Sequence, residues 1–557
     1  MRSGKSFFNF AAALPYNKHL QMTLRTRTDA LLVAGFCAFL FFYGLGAFGL
    51  IGADEPRYAQ VAREMLDRHD WVTPVLNGQP WLEKPPLYYW QAMLVYSVLG
   101  VSDVAARVPG AVDATLLVIA VYLFFRRFRR GVELNAALVT ASCAGIIGYA
   151  RAASTDMPLA ATFGIGILAW WGWRESGKRL YLALFYLLMA LGTLAKGPVA
   201  PFLAAVVIVL FVIATRQFRL VTKTLWWPGI LLFLVVALPW FVAVDLRNPR
   251  FLHEFIFEHN LERFSTNLYH HPEPFWYYLP VTALALVPWI VCVIAALVSP
   301  LRAWGAERKA ASGAADLEFQ FNLFACCWLI VPLVFFSFSQ SKLPGYILPA
   351  VPAGAVLLAD YLRQRLESEA PVSKWLAVLH AAVAAVPIVP ALLIAYLVGE
   401  KHLPSGKPLF IAIAIAFVIF VGIALTLISR VGLRVLRFVT LVPVVLVVAF
   451  VLRFGSRSID LKLSARPLAE ELASVETHQL PIAVCGTSRE LEYGLAFYRN
   501  QTVARYESEE VPEGEHLLVA PPAWKKNVDD LTAGRRVSFL GHYAPQNVDY
   551  YWVAALR

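Results

Sequence analysis

Asp54, Glu55, Arg57 and Tyr58 stand together in the run Gly52-Ala53-Asp54-Glu55-Pro56-Arg57-Tyr58, and Glu83 and Lys84 follow in Trp81-Leu82-Glu83-Lys84-Pro85-Pro86. Further along come Ser154-Thr155-Asp156-Met157-Pro158, Lys196-Gly197-Pro198 and Ser339-Gln340-Ser341-Lys342-Leu343-Pro344-Gly345-Tyr346. Between the last two, residues 246–275 hold His253, His259, Arg263, His270 and His271. Each run has an ordinary explanation by itself. Asp54, Glu55 or Asp156 can cap a helix, with Pro56 in its first turn. Glu83 and Lys84 can form a surface ion pair, and Lys196 can snorkel from a membrane end. Together they offer a different chemistry. Arg57, Lys84, Lys196 and Lys342, with Tyr58 and Tyr346 beside two of them, can hold phosphate. Asp54, Glu55 and Asp156 can take a proton or face a developing positive charge.

The elements that carry these residues belong to a chain of 557 residues, 59% hydrophobic and 16% charged, with mean hydropathy +0.59. A soluble domain carries about 25% charged residues. The apolar residues gather in blocks of about 17–23, each long enough to cross a hydrocarbon core of ~30 Å. A soluble enzyme, a nucleic-acid-binding module and a disordered scaffold are thereby excluded. The blocks lie near 30–52, 105–125, 134–150, 158–173, 180–195, 199–215, 226–245, 276–298, 321–338, 347–362, 375–398, 409–428 and 438–454. They predict an α-helical polytopic membrane protein of about thirteen transmembrane helices.

Charge sets the predicted orientation. Every second connection is basic, from Arg126, Arg127, Arg129 and Arg130 through Arg216, Arg219 and Lys223 to Arg430, Arg434 and Arg437. Basic connections stay cytoplasmic, so the N-terminus is expected inside and everything after Arg453 outside. The net charge of +11 is largely this inner share. Leu87–Leu99 is too short to span; Tyr88, Tyr89, Trp90 and Tyr96 suit a helix at the outer interface. Residues 53–104 and 246–275 are then outer loops of a membrane domain, 1–454. Residues 455–557 are expected to form a small α/β domain outside. Its helices are predicted at Pro467–Val475 and Glu490–Arg499, and its strands at Pro481–Cys485, His516–Ala520 and Val537–Leu540. Of the six cysteines only Cys485 lies in a polar region, so no disulfide framework is expected.

On this topology all the polar runs meet on the outer side. No phosphate-binding glycine loop, HExxH or Ser–His–Asp signature is present, and no nucleotide cofactor or nucleic-acid partner is expected. A lipid carrying an activated sugar is the donor that such a site would meet.

Ala53-Asp54-Glu55-Pro56-Arg57-Tyr58-Ala59, Asp70-Trp71-Val72-Thr73-Pro74, Leu76-Asn77-Gly78 and Glu83-Lys84-Pro85-Pro86 resemble the first extracytoplasmic loop of bacterial lipid-linked-sugar glycosyltransferases. These belong to the membrane C-type glycosyltransferase superfamily, with the protein O-mannosyltransferases. Ser154–Pro158, Lys196–Pro198, Pro274–Pro280 and Lys342–Pro349 recur in the order of the branch that transfers 4-amino-4-deoxy-L-arabinose to lipid A. The resemblance implies a C-type glycosyltransferase fold in a bacterial inner membrane. It implies inverting transfer from undecaprenyl phosphate to lipid A at the periplasmic face, with Asp54 as the catalytic carboxylate, Glu55 beside it and Asp156 as the second acidic position. It also raises a divalent metal (zinc, magnesium or manganese), for which Glu83, His270 and His271 are the expected ligands. Protein O-mannosyl transfer, or polyprenyl-phosphate-sugar-dependent transfer to another glycan acceptor, is the alternative within the superfamily. A lipid flippase is the alternative outside it and predicts ionisable groups along the span centres, where Asp113 stands isolated.

Overall fold

Apolar segments in lipid must satisfy their own backbone hydrogen bonds, and helix does so within one segment. The computed structural model describes residues 18–253, 255, 273–310, 316–368, 373–400, 405–429, 432–508 and 511–556. From the N-terminus, α1 (Lys18–Cys37) runs into a π-turn over Ala38–Phe42; α2 (Asp54–Asp67) and α3 (Leu87–Leu99) occupy the first loop. There follow α4 (Asp103–Phe128), α5 (Glu133–Ser142), α6 (Ala144–Ala150), α7 (Asp156–Ser176), α8 (Arg179–Lys196), α9 (Val199–Thr215) and α10 (Trp227–Arg247). Beyond residue 273 come α11 (Tyr278–Ala285), α12 (Ile290–Ala310), α13 (Leu317–Ser337), α14 (Val351–Glu367), α15 (Lys374–Ala385), α16 (Lys407–Ile428) and α17 (Leu436–Phe450).

The chain is a multi-pass helical membrane protein. Among the described residues eight helices are long and apolar enough to cross, or ten if each of two bent pairs is one crossing. The pairs are α5 with α6, bent by 65°, and Phe275–Ala285 with Ile290–Gly305, bent by 113°. The other three predicted blocks are helical too, in α1, α7 and α9, but none meets that length and hydropathy. The π-turn cuts short the apolar part of α1, tryptophans and glycines dilute α7, and α9 has only 17 residues.

The first loop is built on α2. Tyr58, Ala62 and Met65 line its buried face at helical spacing. An Asn77-Gly78 turn with positive φ at both residues joins the short strands β1 (Val75–Leu76) and β2 (Gln79–Pro80). Glu64 on α2 clips this hairpin down by accepting from Asn77 N and Gly78 N at 2.9 and 3.0 Å. α3 has the predicted limits, but its tyrosines turn inward rather than toward the bilayer edge. Tyr88, Tyr89 and Tyr96 are buried, while Leu94, Val98 and Leu99 are exposed. Two of the phenols find backbone acceptors inside: Tyr88 OH donates to Ala106 O at 2.9 Å and Tyr96 OH to Ala59 O at 3.3 Å. The aliphatic side chains have no such need.

Helix continues across residue 455, from Gly432 to Leu463, through a π-turn at Val451–Gly455. After α18 (Arg466–Val475) comes a five-stranded sheet with α19 (Arg489–Arg499) between its first two strands. The strands are β3 (Ile482–Val484), β4 (Val503–Arg505), β5 (His516–Ala520), β6 (Val537–Tyr543) and β7 (Val548–Val553). Their spatial order is β4-β3-β5-β7-β6, parallel among the first three and antiparallel thereafter. The sheet is seated on the membrane helices by buried polar contacts. Tyr498 OH donates to Asp103 Oδ1 and accepts from Leu50 N, both at 2.6 Å. Arg466 bridges Asp103 and Asp460. Gly49 has to be glycine here, since a Cβ would lie 2.2 Å from Ser464 Oγ and 2.5 Å from Tyr498 OH.

Candidate active site

Neither Asp54 nor Glu55 caps α2; Ala53 holds the cap position with no side-chain bond. The two neighbours point to opposite fates. Glu55 is 9% exposed in its side chain and Asp54 is 51% exposed. Both Glu55 oxygens are spent inside the protein. Oε1 accepts from Arg107 Nε (3.2 Å) and Ala153 N (2.9 Å), and Oε2 accepts from Arg107 Nη2 (2.6 Å) and Ile51 N (2.9 Å). Arg107 itself ties down the carbonyls of Leu45, Phe48 and Gly49. Glu55 therefore fastens α2 to α4 and to the loop before α7, and is not free to meet a substrate.

Asp54 projects from the first turn and, among the described residues, pairs with Arg57 Nη2 at 2.5 Å. Arg57 is boxed by three rings, Tyr58, Trp81 and Tyr493, with centroids at 5.1, 5.1 and 5.8 Å. Burial works against its charge, but Tyr58, Asp54 and Glu83 outweigh burial and hold the guanidinium above its usual value. Burial, reinforced by Asp54, keeps the Tyr58 phenol well above its ordinary value and so a proton donor. Lys84 is buried, and its Nζ donates to Glu83 O at 3.2 Å.

The second half of the site forms where three distant runs meet. Asp156 opens α7, with its own N–H donating to Ser154 Oγ at 3.0 Å. It pairs with Lys196 Nζ at the C-terminal end of α8, and that ammonium lies 4.6 Å from the Tyr346 ring centroid. Gly345 presses its backbone against Asp156, so a Cβ there would come within 2.6 Å of the carboxylate carbon. Lys342 is buried and donates to Glu273 O (3.1 Å) and Ser339 O (2.5 Å). Burial lowers its pKa, offset only in part by Glu273. Tyr149, at the end of α6, lies within electrostatic reach of both Asp54 and Asp156, which joins the two halves.

The fold thus gathers Asp54, Arg57, Tyr58 and Glu83 on one side and Asp156, Lys196 and Tyr346 on the other. Arg107, Tyr149 and Tyr493 were missed in the sequence. Arg107 had a signal, a lone cation near the start of an apolar block; Tyr493, from the far C-terminal part, had none. His270 and His271 lie outside the described residues. Among the described residues no three His, Cys, Asp or Glu side chains gather as a metal site, and Glu83 lies within electrostatic reach of Arg57. No step below passes through a metal.

The family described as dolichyl-phosphate-mannose-protein mannosyltransferase matches residues 29–255. An undecaprenyl phosphate-alpha-4-amino-4-deoxy-L-arabinose arabinosyl transferase of Pseudomonas aeruginosa is 33% identical over 350 residues, a match spanning 61% of this chain and 61% of that protein. The transferase of the same name from Aeromonas hydrophila is 31% identical over 480 residues, 82% of each chain. The fold is shared with ArnT from Cupriavidus metallidurans, solved bound to undecaprenyl phosphate. The TM-score is 0.75 at 24% identity, over 94% of this chain and 97% of that one. With its motif runs converging on one site and its likeness carried along four fifths of a relative, the chain belongs to the undecaprenyl phosphate-alpha-4-amino-4-deoxy-L-arabinose arabinosyl transferase family.

Proposed function

We propose that the protein is a glycosyltransferase of the bacterial inner membrane, moving 4-amino-4-deoxy-L-arabinose from undecaprenyl phosphate to a phosphate of lipid A. The site faces the periplasm, the N-terminus is cytoplasmic, and the C-terminal sheet domain is periplasmic. The observation that carries this reading is that two acidic residues, each paired with a cation, act on one phenol. Asp54 is exposed beside Arg57, Asp156 is set against Lys196, and Tyr149 lies within electrostatic reach of both.

The C1–O bond to undecaprenyl phosphate breaks with its electron pair leaving on the phosphate. A lipid A phosphate oxygen forms the new bond from the opposite face of the sugar, which inverts the anomeric carbon. The leaving group is already a stable anion and the nucleophile arrives ionised, so neither a strong acid nor a strong base is needed. What the chain supplies is charge placement. Arg57, Lys84, Lys196 and Lys342 neutralise the two phosphates, with Tyr58 and Tyr346 beside them. A lysine has three donors, and two of those on Lys342 are engaged by carbonyls, which fixes the direction of the third. Asp54 faces the positive charge that grows at the anomeric carbon. Asp156 is placed to hold the ammonium of the amino sugar.

Purified protein with donor and lipid A tests the assignment. Asp54→Asn is expected to lower kcat by about 10²–10³-fold with donor binding retained. Wild-type turnover by this variant would remove Asp54 from the reaction. Lipid A from cells with and without the protein, compared by mass spectrometry, tests the acceptor: the increment of one aminopentose should vanish on deletion. Unchanged lipid A with lost protein glycosylation would instead point to protein O-mannosyl transfer.

A further inference from the structure

A cavity of about 540 Å³ opens where α2 and the start of α4 meet α18 and α19. None of the groups assigned above to the reaction lines it. Two of its three guanidinium groups are committed, Arg466 to Asp103 and Asp460 and Arg499 to Glu476. Arg63 is different. Its Nη1 donates to Phe497 O at 2.7 Å and its guanidinium lies 5.4 Å from the Phe497 ring centroid, but among the described residues no carboxylate reaches ion-pair distance. Asp67, one turn further along α2, acts on it only through space. Glu470 stands exposed on the opposite wall. A half-buried cation with donors to spare, facing a cavity of ligand size, is a place for an anion carried on a larger polar group.

Location narrows the class. The cavity is lined by Val101–Asp103, directly after the exposed Leu94, Val98 and Leu99 of α3, so it opens beside an apolar flank suited to lipid. Arg57 and Arg63 both lean on α19, through Tyr493 and Phe497, and stand six residues apart on α2, or roughly 9 Å at the helical rise. A disaccharide with a phosphate at each end can place one phosphate by Arg57 and the other by Arg63. We infer that this cavity is a second acceptor subsite, in which Arg63 holds the non-reacting phosphate of a phosphorylated amino-sugar headgroup while Glu470 faces its hydroxyl or amino groups. The inference rests on the lipid A reading above.

The test uses the full-length protein in detergent, the aminoarabinose donor, lipid A with both phosphates, and whichever monophosphoryl lipid A still accepts sugar. The wild-type KM is expected to be about tenfold lower for the two-phosphate acceptor. Arg63→Gln should bring the two KM values together. Because Arg63 also helps to seat the C-terminal domain, Ala473→Trp provides a second variant; it fills the cavity from an exposed position and touches no docking bond. A wild-type ratio of about one, or a ratio preserved in both variants, overturns the subsite. Equilibrium binding of glucosamine 6-phosphate and of inorganic phosphate separates the sources. Glucosamine phosphate binding that is lost in Ala473→Trp supports a headgroup site; equal binding of inorganic phosphate makes it a site for free anion and overturns the headgroup assignment. If the wild type transfers sugar to neither acceptor, the functional reading falls. Arg63-dependent binding of glucosamine phosphate then still supports the cavity as a headgroup site, and its absence overturns that as well.

Discussion

Adjacent carboxylates in one motif do different work because a single residue step, about 100° around the helix, separates a buried direction from an exposed one. Glu55 accepts four hydrogen bonds and neutralises Arg107, whereas Asp54 meets solvent and Arg57. Removing one partner of a buried pair leaves the other charge stranded, at a cost of about 3–5 kcal/mol. Glu55→Gln is therefore expected to lower the thermal unfolding temperature in detergent clearly, while Asp54→Asn should leave it near wild type and lose turnover. Equal unfolding temperatures for the two variants would contradict this division. Lys342 adds a pH signature. Its pKa is lowered by burial, so its charge is lost at a lower pH than that of an ordinary lysine. Transfer should decline on the alkaline side before the usual lysine range, and Lys342→Arg should move that decline upward, read from kcat/KM against pH.

At the scale of elements, the site is made by ends rather than middles. The first turn of α2, the first residue of α7, the last of α8 and the 3-10 turn at Pro344–Ala350 each contribute one group to the site. Their prolines and glycines set how closely the ends approach. Gly345→Ala would drive a methyl into Asp156 and displace it from Lys196. A loss of about a hundredfold in turnover is expected, since such displacements act through alignment. Near-normal kcat for this variant would show that the Asp156–Lys196 pair is not needed in that geometry. α3 packs against the same helices, with the phenols of Tyr88 and Tyr96 bonded to backbone carbonyls of α4 and α2 and its aliphatic side exposed.

At the scale of the whole molecule, the C-terminal sheet domain completes the box around Arg57 by contributing Tyr493, and it is seated through Tyr498 and Arg466. Its own core includes a titrating group. His516 Nδ1 donates to Gly514 O, and Nε2 accepts from Tyr506 OH. Burial lowers its pKa, as does Arg535, against a smaller opposing effect of the Gly514 bond. The folded domain thus favours the neutral ring. That stability is fully present above the unfolded value of about 6.5 and is lost as pH falls through the interval down to the folded one. Acidification below pH 6.5 should lower the unfolding temperature of the wild type more than that of His516→Gln; equal acid sensitivity would exclude this group as the cause.

That the chain is helical and membrane-embedded was legible in the sequence, because an apolar block of about 20 residues in lipid satisfies its backbone within one segment only as helix. The sequence by itself also determined which runs carry the chemistry, because carboxylates and cations beside prolines at the ends of apolar blocks stand out against an uncharged background. Strands β4 and β7 went unread, being short or half-buried without clean alternation. The inward turn of the α3 tyrosines went unread as well, since a phenol suits an interface as well as a buried carbonyl. Only tertiary structure decided between Asp54 and Glu55, paired Asp156 with Lys196 across 40 residues, and brought Tyr493 to Arg57 across more than 430. Motif spacing records which groups are present along the chain. Which of them remain free for a substrate depends on the partners that burial assigns, and those partners are set by the packing of helices far apart in sequence.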